Sequence, residues 1–298
     1  MKKTLALVMI CLLLFIASGC GVKTGVQSTE QKIKVCTSVY PMYDFAKKIG
    51  GDKIELTSLM PFGAEPHDWE PSASDVIKLE NSDVFIFNGA GLEHWTEKVL
   101  GTLSNKKLII IEASEGISFI EVNSDEHEHE HEHENNLDPH IWLSIKNAKM
   151  QMENIKNAFV SADEKNEEYY NISFNKAVKQ LEDLDNEYSE VLKGISKKDV
   201  VVTHQAFGYL CRDYGLEQVG IEGLSPLSEP EPAKMAEVIE FVKKNSVSTI
   251  FFEEQANPRV AETVAHATGA KVSVLWTIGR LTEEQIANKS DYISIMRE

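Results

Sequence analysis

The chain has 298 residues, of which 47 are acidic and 30 basic, so its formal charge is −17 and its isoelectric point is near 5.0. This length suits one or two folded domains. Because nucleic-acid binding needs clustered Lys and Arg, and the sequence shows no such cluster, its acidity excludes a nucleic-acid partner. The acids are unevenly placed: Glu121–Glu134 contains seven of them and four of the nine histidines, without a basic residue.

The first 19 residues have the pattern of a bacterial lipoprotein signal peptide. Lys2 and Lys3 precede an apolar run, Leu5–Ala17, and small residues lead to Cys20. This pattern predicts cleavage before Cys20 and lipid attachment to that cysteine, with residues 20–32 as a polar tether. The alternatives are an uncleaved anchor and an ordinary secretory signal. The lipoprotein interpretation predicts an extracytoplasmic protein anchored to the cell membrane.

Short apolar runs alternate with helical patterns in both halves of the chain, which favours parallel α/β sheets. The predicted strands are Ile33–Val39, Ile54–Met60, Val84–Asn88, Leu108–Ile111, Val200–Thr203, Glu217–Gly220, Thr249–Phe252 and Val272–Trp276. The predicted helices among them are Pro41–Ile49, Ser74–Glu80, Leu92–Leu103, Phe207–Tyr214, Pro232–Lys244 and Pro258–Thr268.

Residues 144–194 link the two halves and have helical periodicity throughout. The stretch Asp163–Leu192, with Asp163 or Ser161 as its cap and Gly194 just beyond its end, predicts a rod of about 45 Å. The expected architecture is two (β/α)4-type lobes joined by one long rigid helix. The predicted lobes are residues 33–143, which include a His-rich loop at 121–136, and residues 195–298.

Two further cysteines, Cys36 and Cys211, lie one in each half of the chain. A disulfide between them is compatible with an oxidising compartment, but spacing alone does not establish one. We favour two small buried hydrophobic side chains.

Three histidines follow predicted strands, where ligands bind in open α/β sheets. His67 lies in the loop after the second strand, His140 follows the fourth, and His204 ends the first strand of the second lobe. Their convergence predicts a site for zinc, copper or nickel in the cleft between the lobes. Asp68 and Asp138 stand near two of these histidines and could orient the rings. In contrast, His94 and His266 fall in helical patterns and are interpreted as structural or exposed.

The run Glu126–Glu134 alternates Glu with His127, His129, His131 and His133. Such a segment cannot build an apolar core, but its imidazoles and carboxylates can hold cations weakly and raise their concentration near the cleft. The alternative is a solvated acidic linker in which the histidines have no role.

Several motifs resemble one protein family over almost the whole chain from Ile33. They are Val39-Tyr-Pro-Met-Tyr43, Glu65-Pro-His-Asp-Trp-Glu-Pro71, Gly89-Ala-Gly-Leu-Glu93, Asp138-Pro-His-Ile-Trp-Leu143, Thr203-His-Gln-Ala-Phe-Gly-Tyr209, Phe251-Phe-Glu-Glu254 and Asp291-Tyr-Ile-Ser-Ile-Met296. The chain resembles the solute-binding lipoproteins of zinc and manganese ABC transporters, on the high-affinity zinc branch. The resemblance implies one Zn²⁺ between two lobes, delivered to a membrane permease driven by a separate ATPase. It also points to the outer surface of a single-membrane bacterium.

The resemblance assigns the metal-binding histidines to His67, His140 and His204. It also implies an acidic fourth ligand after the last strand, but Gly279 occupies that position. Water is our preferred fourth ligand, and Glu65 or an acid of the His-rich loop is the alternative. Because the family usually continues beyond Met296 with a further helix, the resemblance is also compatible with a shortened C-terminus.

Three imidazoles without an evident carboxylate favour zinc over manganese, whereas copper and nickel remain alternatives. A three-histidine zinc hydrolase is a rival function, because an open coordination position can activate water. The sequence has no predicted helix with a His-Glu-x-x-His motif and no Gly-x-Ser-x-Gly motif, which are typical of common hydrolases, and we therefore expect a transport protein without catalytic activity. A surface adhesin is the third alternative.

Overall fold

The computed structural model describes residues 32–122, 137–224, 231–253 and 257–298. The predicted signal peptide, Cys20 and the four histidines of the His-rich loop lie outside these residues. In the part of the chain that is described, no helix is both long and apolar enough to cross a membrane.

The first lobe is built on a four-stranded parallel sheet with strand order β2-β1-β3-β4. Its central strands carry runs of aliphatic and aromatic side chains, as expected where helices cover both faces of a sheet. The strands are β1 (Ile33–Thr37), β2 (Ile54–Ser58), β3 (Val84–Phe87) and β4 (Ile109–Glu112), and the helices are α1 (Tyr40–Gly50), α2 (Ala73–Glu80) and α3 (Thr96–Thr102).

Two helices follow the first lobe, α4 (Ile145–Ala162) and α5 (Glu167–Leu192). At 26 residues, α5 is about 39 Å long. It packs against α4 and α1, and its buried residues belong to a core that also contains Val202 from the second lobe. The long helix therefore shares one apolar core with both lobes.

The second lobe repeats the strand order of the first as β6-β5-β7-β8, again with every pair parallel. Its strands are β5 (Asp199–Val202), β6 (Glu217–Gly220), β7 (Thr249–Phe252) and β8 (Lys271–Val274), and its helices are α6 (Gly208–Tyr214), α7 (Pro232–Asn245), α8 (Arg259–Thr268), α9 (Glu283–Asn288) and α10 (Tyr292–Met296). The predicted fold of two α/β lobes is confirmed.

The prediction was wrong about where two helices begin. Helix α5 starts at Glu167 because residues 164–166 form a 3-10 turn, and Asp163 accepts hydrogen bonds from Asn166 and from the Tyr170 hydroxyl instead of capping the helix. The predicted helix Leu92–Leu103 begins only at Thr96, because the residues before it form a turn around the buried Glu93 carboxylate. Gly194 does adopt the expected left-handed conformation, with φ +83°.

Three hydrogen bonds join segments that are distant in sequence and fix the loops at the junction of the lobes. The Leu281 amide donates to the Phe62 carbonyl at 2.6 Å. The Trp142 indole donates to the Thr277 carbonyl at 2.7 Å, and the Tyr292 hydroxyl donates to the Trp142 carbonyl at 2.5 Å. Trp142 and Tyr292 are completely buried, so these bonds lie away from competing water.

Cys36 and Cys211 are both buried and free, as our preferred interpretation predicted. Burial raises the pKa of both thiols, that of Cys211 to about 12, so they are protonated at neutral pH. They serve as small apolar side chains.

Candidate metal centre

The structure brings His67, His140 and His204 together. One ring nitrogen from each lies within 4.8 Å of the others, and the closest pair of atoms, Nε2 of His67 and Nε2 of His140, is 3.2 Å apart. The ring centroids are separated by 4.7 to 5.5 Å. The 3.2 Å separation is compatible with two nitrogens that bind one cation at bond lengths of about 2.0–2.1 Å each.

Each histidine reaches this point from a different segment. His67 lies in the loop that follows β2, and His204 lies two residues after β5. His140 lies beyond β4 and caps the 3-10 turn Ile141–Leu143 that leads into α4. Two imidazoles thus come from the first lobe and one from the second.

The rings of His140 and His204 are only 2% and 3% exposed, whereas His67 is partly exposed. Burial, reinforced by the neighbouring imidazoles, lowers the pKa of His67 to about 2. Burial also holds the pKa of His140 well below its usual range. Both rings are therefore neutral at physiological pH, which is the form that binds a metal.

Asp138 orients His140 through two contacts from the same carboxylate oxygen. Its Oδ1 accepts from the His140 amide at 2.9 Å and lies 2.8 Å from Nδ1 of the ring. When this carboxylate is ionised it can only accept, and the contact then places the proton on Nδ1 and leaves the lone pair on Nε2. Burial raises the pKa of Asp138 to about 7.

His204 has polar neighbours at both ring nitrogens. Nε2–H donates to the Leu224 carbonyl at 2.7 Å, and Nδ1 lies 3.2 Å from Oε2 of Glu253. Burial lowers the pKa of His204, but the bonds to Glu253 and Leu224 outweigh it and raise the pKa above its usual 6.5. A metal that binds at Nε2 must therefore replace the contact with Leu224.

A small cavity of about 10 Å³ adjoins the three histidines, and its lining includes Glu65, Glu253, Gly279 and Arg280. Arg280 forms an ion pair with Glu65 at 3.2 Å, and Glu65 also accepts from the His67 amide at 3.4 Å. Gly279 has no side chain that could provide a ligand. A β-carbon at this position would lie 3.3 Å from Pro66, which is a tight contact.

A buried polar network supports the loop that carries His140. The side-chain amide of Asn88 donates to the Pro139 carbonyl at 2.9 Å and accepts from Gln151 at 2.9 Å. The Asn88 backbone N–H donates to Glu93, whose carboxylate also accepts from Gly89. Asn88 is fully buried, so its side chain fixes Pro139 next to the histidine without competition from solvent.

The other candidate residues lie elsewhere. His94 and His266 are exposed, and His94 is in a turn before α3, 3.5 Å from Glu70. Among the described residues, the Asp68 side chain makes no hydrogen bond, whereas the predicted contact of Asp138 with His140 is present. Sequence reasoning missed Glu253 and Arg280 at the cavity. Glu253 could have been found, because it directly follows β7 as a polar residue at a strand end.

Two parallel-sheet lobes with a cluster of imidazoles between them define a two-lobed α/β solute-binding protein. The family of the periplasmic zinc-uptake complex component A, ZnuA, matches residues 35–298, and the chain therefore belongs to this family. It is 38% identical over 304 residues to the high-affinity zinc uptake system protein ZnuA of Bacillus subtilis, covering 100% of this chain and 95% of that protein.

Solved structures agree with this assignment. The metal-dependent lipoprotein YcdH from Bacillus subtilis is similar with a TM-score of 0.78 and 36% identity, over 89% of this chain and 96% of that one. The Zn(II)-bound ZnuA-like domain of Streptococcus pneumoniae AdcA has a TM-score of 0.77 and 36% identity, over 90% of this chain and 96% of that domain. The chain spans 60% of the whole AdcA lipoprotein.

Proposed function

We propose that this protein is the extracytoplasmic component of an ABC transporter, and that it captures Zn²⁺ and delivers it to a membrane permease driven by a separate ATPase. The observation that carries the proposal is the cluster of His67, His140 and His204, whose ring nitrogens lie within 4.8 Å of one another between two lobes. A cation held by both lobes couples binding to their relative position, which a permease can recognise. Membership of the zinc-uptake family supports this function.

The donor set favours zinc as the cargo. Three neutral imidazoles suit a borderline divalent cation, whereas manganese prefers oxygen donors. The Zn(II)-bound state of the AdcA domain supports the same choice. For the fourth position we propose water, because the Glu65 carboxylate is already paired with Arg280. Glu65 remains the alternative ligand.

The location of the protein follows from its N-terminus. We propose that residues 1–19 are removed and that Cys20 carries a lipid which holds the binding lobes at the outer surface of the membrane. We further propose that four histidines of the His-rich loop bind zinc weakly and pass it to the cleft: His127, His129, His131 and His133. In the sequence, this loop directly precedes the segment that carries His140. Both proposals rest on the sequence alone.

The function is tested by titrating the metal-free protein, residues 32–298, with Zn²⁺ against a competing chelator. We expect one tight site, and we expect His140→Ala to lower its affinity by at least about 100-fold, because this ring is buried and oriented toward the other two histidines. His94→Ala is the matched control, since His94 is exposed and distant from the cluster. Unchanged affinity in His140→Ala would exclude this site.

The competing functions are separated with the same preparation. Parallel titrations with Mn²⁺, Cu²⁺ and Ni²⁺ rank the cargo, and we expect Mn²⁺ to bind much more weakly than Zn²⁺. Zinc-loaded protein is also assayed with an activated ester. Turnover that disappears in His140→Ala would support the hydrolase alternative and contradict a purely binding role.

A further inference from the structure

Glu253 is the one buried carboxylate in the described part of the cavity wall whose second oxygen has no hydrogen-bond partner. The side chain is 4% exposed and directly follows β7. Its Oε2 contacts Nδ1 of His204 at 3.2 Å, whereas Oε1 is buried and unsatisfied among the described residues. A buried carboxylate oxygen without a hydrogen-bond partner destabilises the folded protein unless a nearby positive charge or another hydrogen-bond donor compensates its charge.

The neighbourhood indicates what compensates this charge. The Arg280 guanidinium forms an ion pair with Glu65 at 3.2 Å. Glu253 lines the same cavity as His67, His140 and His204. A divalent cation held by three neutral imidazoles would bring two positive charges into this enclosed space, where electrostatic interactions are stronger than in water.

A similar contact between a carboxylate and a histidine ring occurs in the first lobe. Asp138 contacts Nδ1 of His140 at 2.8 Å, just as Glu253 contacts Nδ1 of His204 at 3.2 Å. Each lobe therefore contributes one buried carboxylate–imidazole pair. In such a pair the carboxylate accepts the Nδ1 proton, fixes the ring orientation and leaves Nε2 to bind the metal.

We infer that Glu253 is a positioning residue for zinc: it holds His204 so that Nε2 can bind the metal once the contact with Leu224 is replaced, and it offsets part of the cation's charge. The inference rests on the proposed function, because it assigns a role at the same site. Glu253 does not lie in the group of ligand atoms within 4.8 Å of one another, so its role is exerted through His204 rather than by direct binding.

The test compares Glu253→Gln with the wild type, both as residues 32–298. Glutamine keeps the size of the side chain and removes its charge, and we expect zinc affinity to fall by about 10- to 100-fold. Glu222→Gln is the matched control. Glu222 is a partly buried carboxylate whose charge acts on His204, but among the described residues no hydrogen bond joins the two. We expect this control to change affinity by less than about 2-fold.

Two further measurements separate positioning from a general structural effect. In the His204→Ala background, Glu253→Gln should lower affinity by clearly less than in the wild type, because the part of its effect that acts through His204 is lost and only the effect of its charge remains. In zinc-loaded protein with ¹⁵N-labelled histidine, NMR should show a slowly exchanging His204 Nδ1 proton that is lost or shifted in Glu253→Gln. Thermal unfolding of the metal-free proteins shows whether the fold is kept, and Glu253→Asp replaces the first variant if it is not.

The outcomes of this test are distinct from those of the proposed function. Tight zinc binding by the wild type with the same affinity in Glu253→Gln would overturn the inference and leave the function standing. Equal losses in the wild-type and His204→Ala backgrounds would also overturn it, since they would show that Glu253 acts independently of the histidine. Absence of tight zinc binding by the wild type would instead contradict the function.

Discussion

In the proposed site, zinc would compete with a proton for His204 but not for the other two histidines. The pKa of His204 is raised above 6.5 by its bonds to Glu253 and Leu224, which outweigh the lowering effect of burial. The pKa values of His67 and His140 are lowered, chiefly by burial. As pH falls, His204 is therefore the first of the three to become charged, and a charged imidazole does not bind metal.

The expected result is a shallow dependence of zinc affinity on pH. Between about pH 8 and pH 5, the logarithm of the association constant should fall with a slope approaching one, because a single proton is displaced. The fall should begin above pH 6.5, where an ordinary histidine is still mostly neutral. Chelator-competition titrations across this range measure the slope. A slope approaching three below pH 6.5 would show that all three histidines titrate normally and would contradict the result expected here.

The sequence predicted which histidines meet but not how they are held. Polar residues that follow predicted strands indicated His67, His140 and His204, and the resemblance assigned the same three histidines. The contacts that orient the rings were harder to predict from the sequence. Asp138 lies two residues from His140, and its contact was predicted. Glu253 lies 49 residues from His204 and follows another strand, and its contact was not predicted. Pairings of this kind depend on strand order, which the local pattern of residues does not encode.

Helix α6 approaches the metal centre closely at its first residue, Gly208. A β-carbon at this position would lie 2.8 Å from Oδ2 of Asp138, well inside normal contact distance. The same carboxylate holds His140 through its amide and its ring. The absence of a side chain at Gly208 therefore leaves space for the group that orients a candidate metal ligand.

We expect Gly208→Ala to lower zinc affinity by about 10-fold, because Asp138 must move and its contact with His140 is weakened. Gly101→Ala is the control, since Gly101 also lies in a helix but a β-carbon there would meet no atom within 4 Å. Chelator-competition titration measures both variants, and thermal unfolding reports their stability. Wild-type affinity in Gly208→Ala would show that Asp138 can shift without cost to the site.

At the level of whole elements, strand positions were predicted to within two or three residues, because buried parallel strands are short apolar runs bounded by turns. Helix starts were less predictable. The segment before α3 has helical composition, yet Glu93 accepts hydrogen bonds from the preceding turn and Thr96 is the first helical residue. A tertiary interaction of one carboxylate outweighed the local helical preference.

Across the whole molecule, the His-rich segment is inserted between two residues that pair with each other. Glu121 and Leu137 form an antiparallel bridge, so the two ends of this segment are neighbours. Replacing residues 123–136 with a two-residue Asn-Gly turn should therefore leave the fold and the tight site intact.

The deletion should separate capture from tight binding. We expect unchanged affinity at the single tight site, loss of the weaker ions bound by the wild type, and slower zinc loading from a dilute, chelator-buffered solution, because the local concentration of zinc near the cleft is reduced. Calorimetry counts the sites and stopped-flow fluorescence measures the loading rate. Equal loading rates in the two proteins would leave the His-rich loop without a capture role, whereas a weakened tight site would indicate that the loop supplies a ligand.

The free, buried thiols have a practical consequence for measuring how the lobes move. A protein that begins at Lys32 contains only Cys36 and Cys211, and both are buried with raised pKa values, so thiol-directed dyes should react with them slowly. Cysteines introduced at exposed positions such as Lys107 and Lys243, one on each lobe, could then be labelled without first removing the native ones. Fluorescence energy transfer between the two labels would report the separation of the lobes as cargo is added or withdrawn.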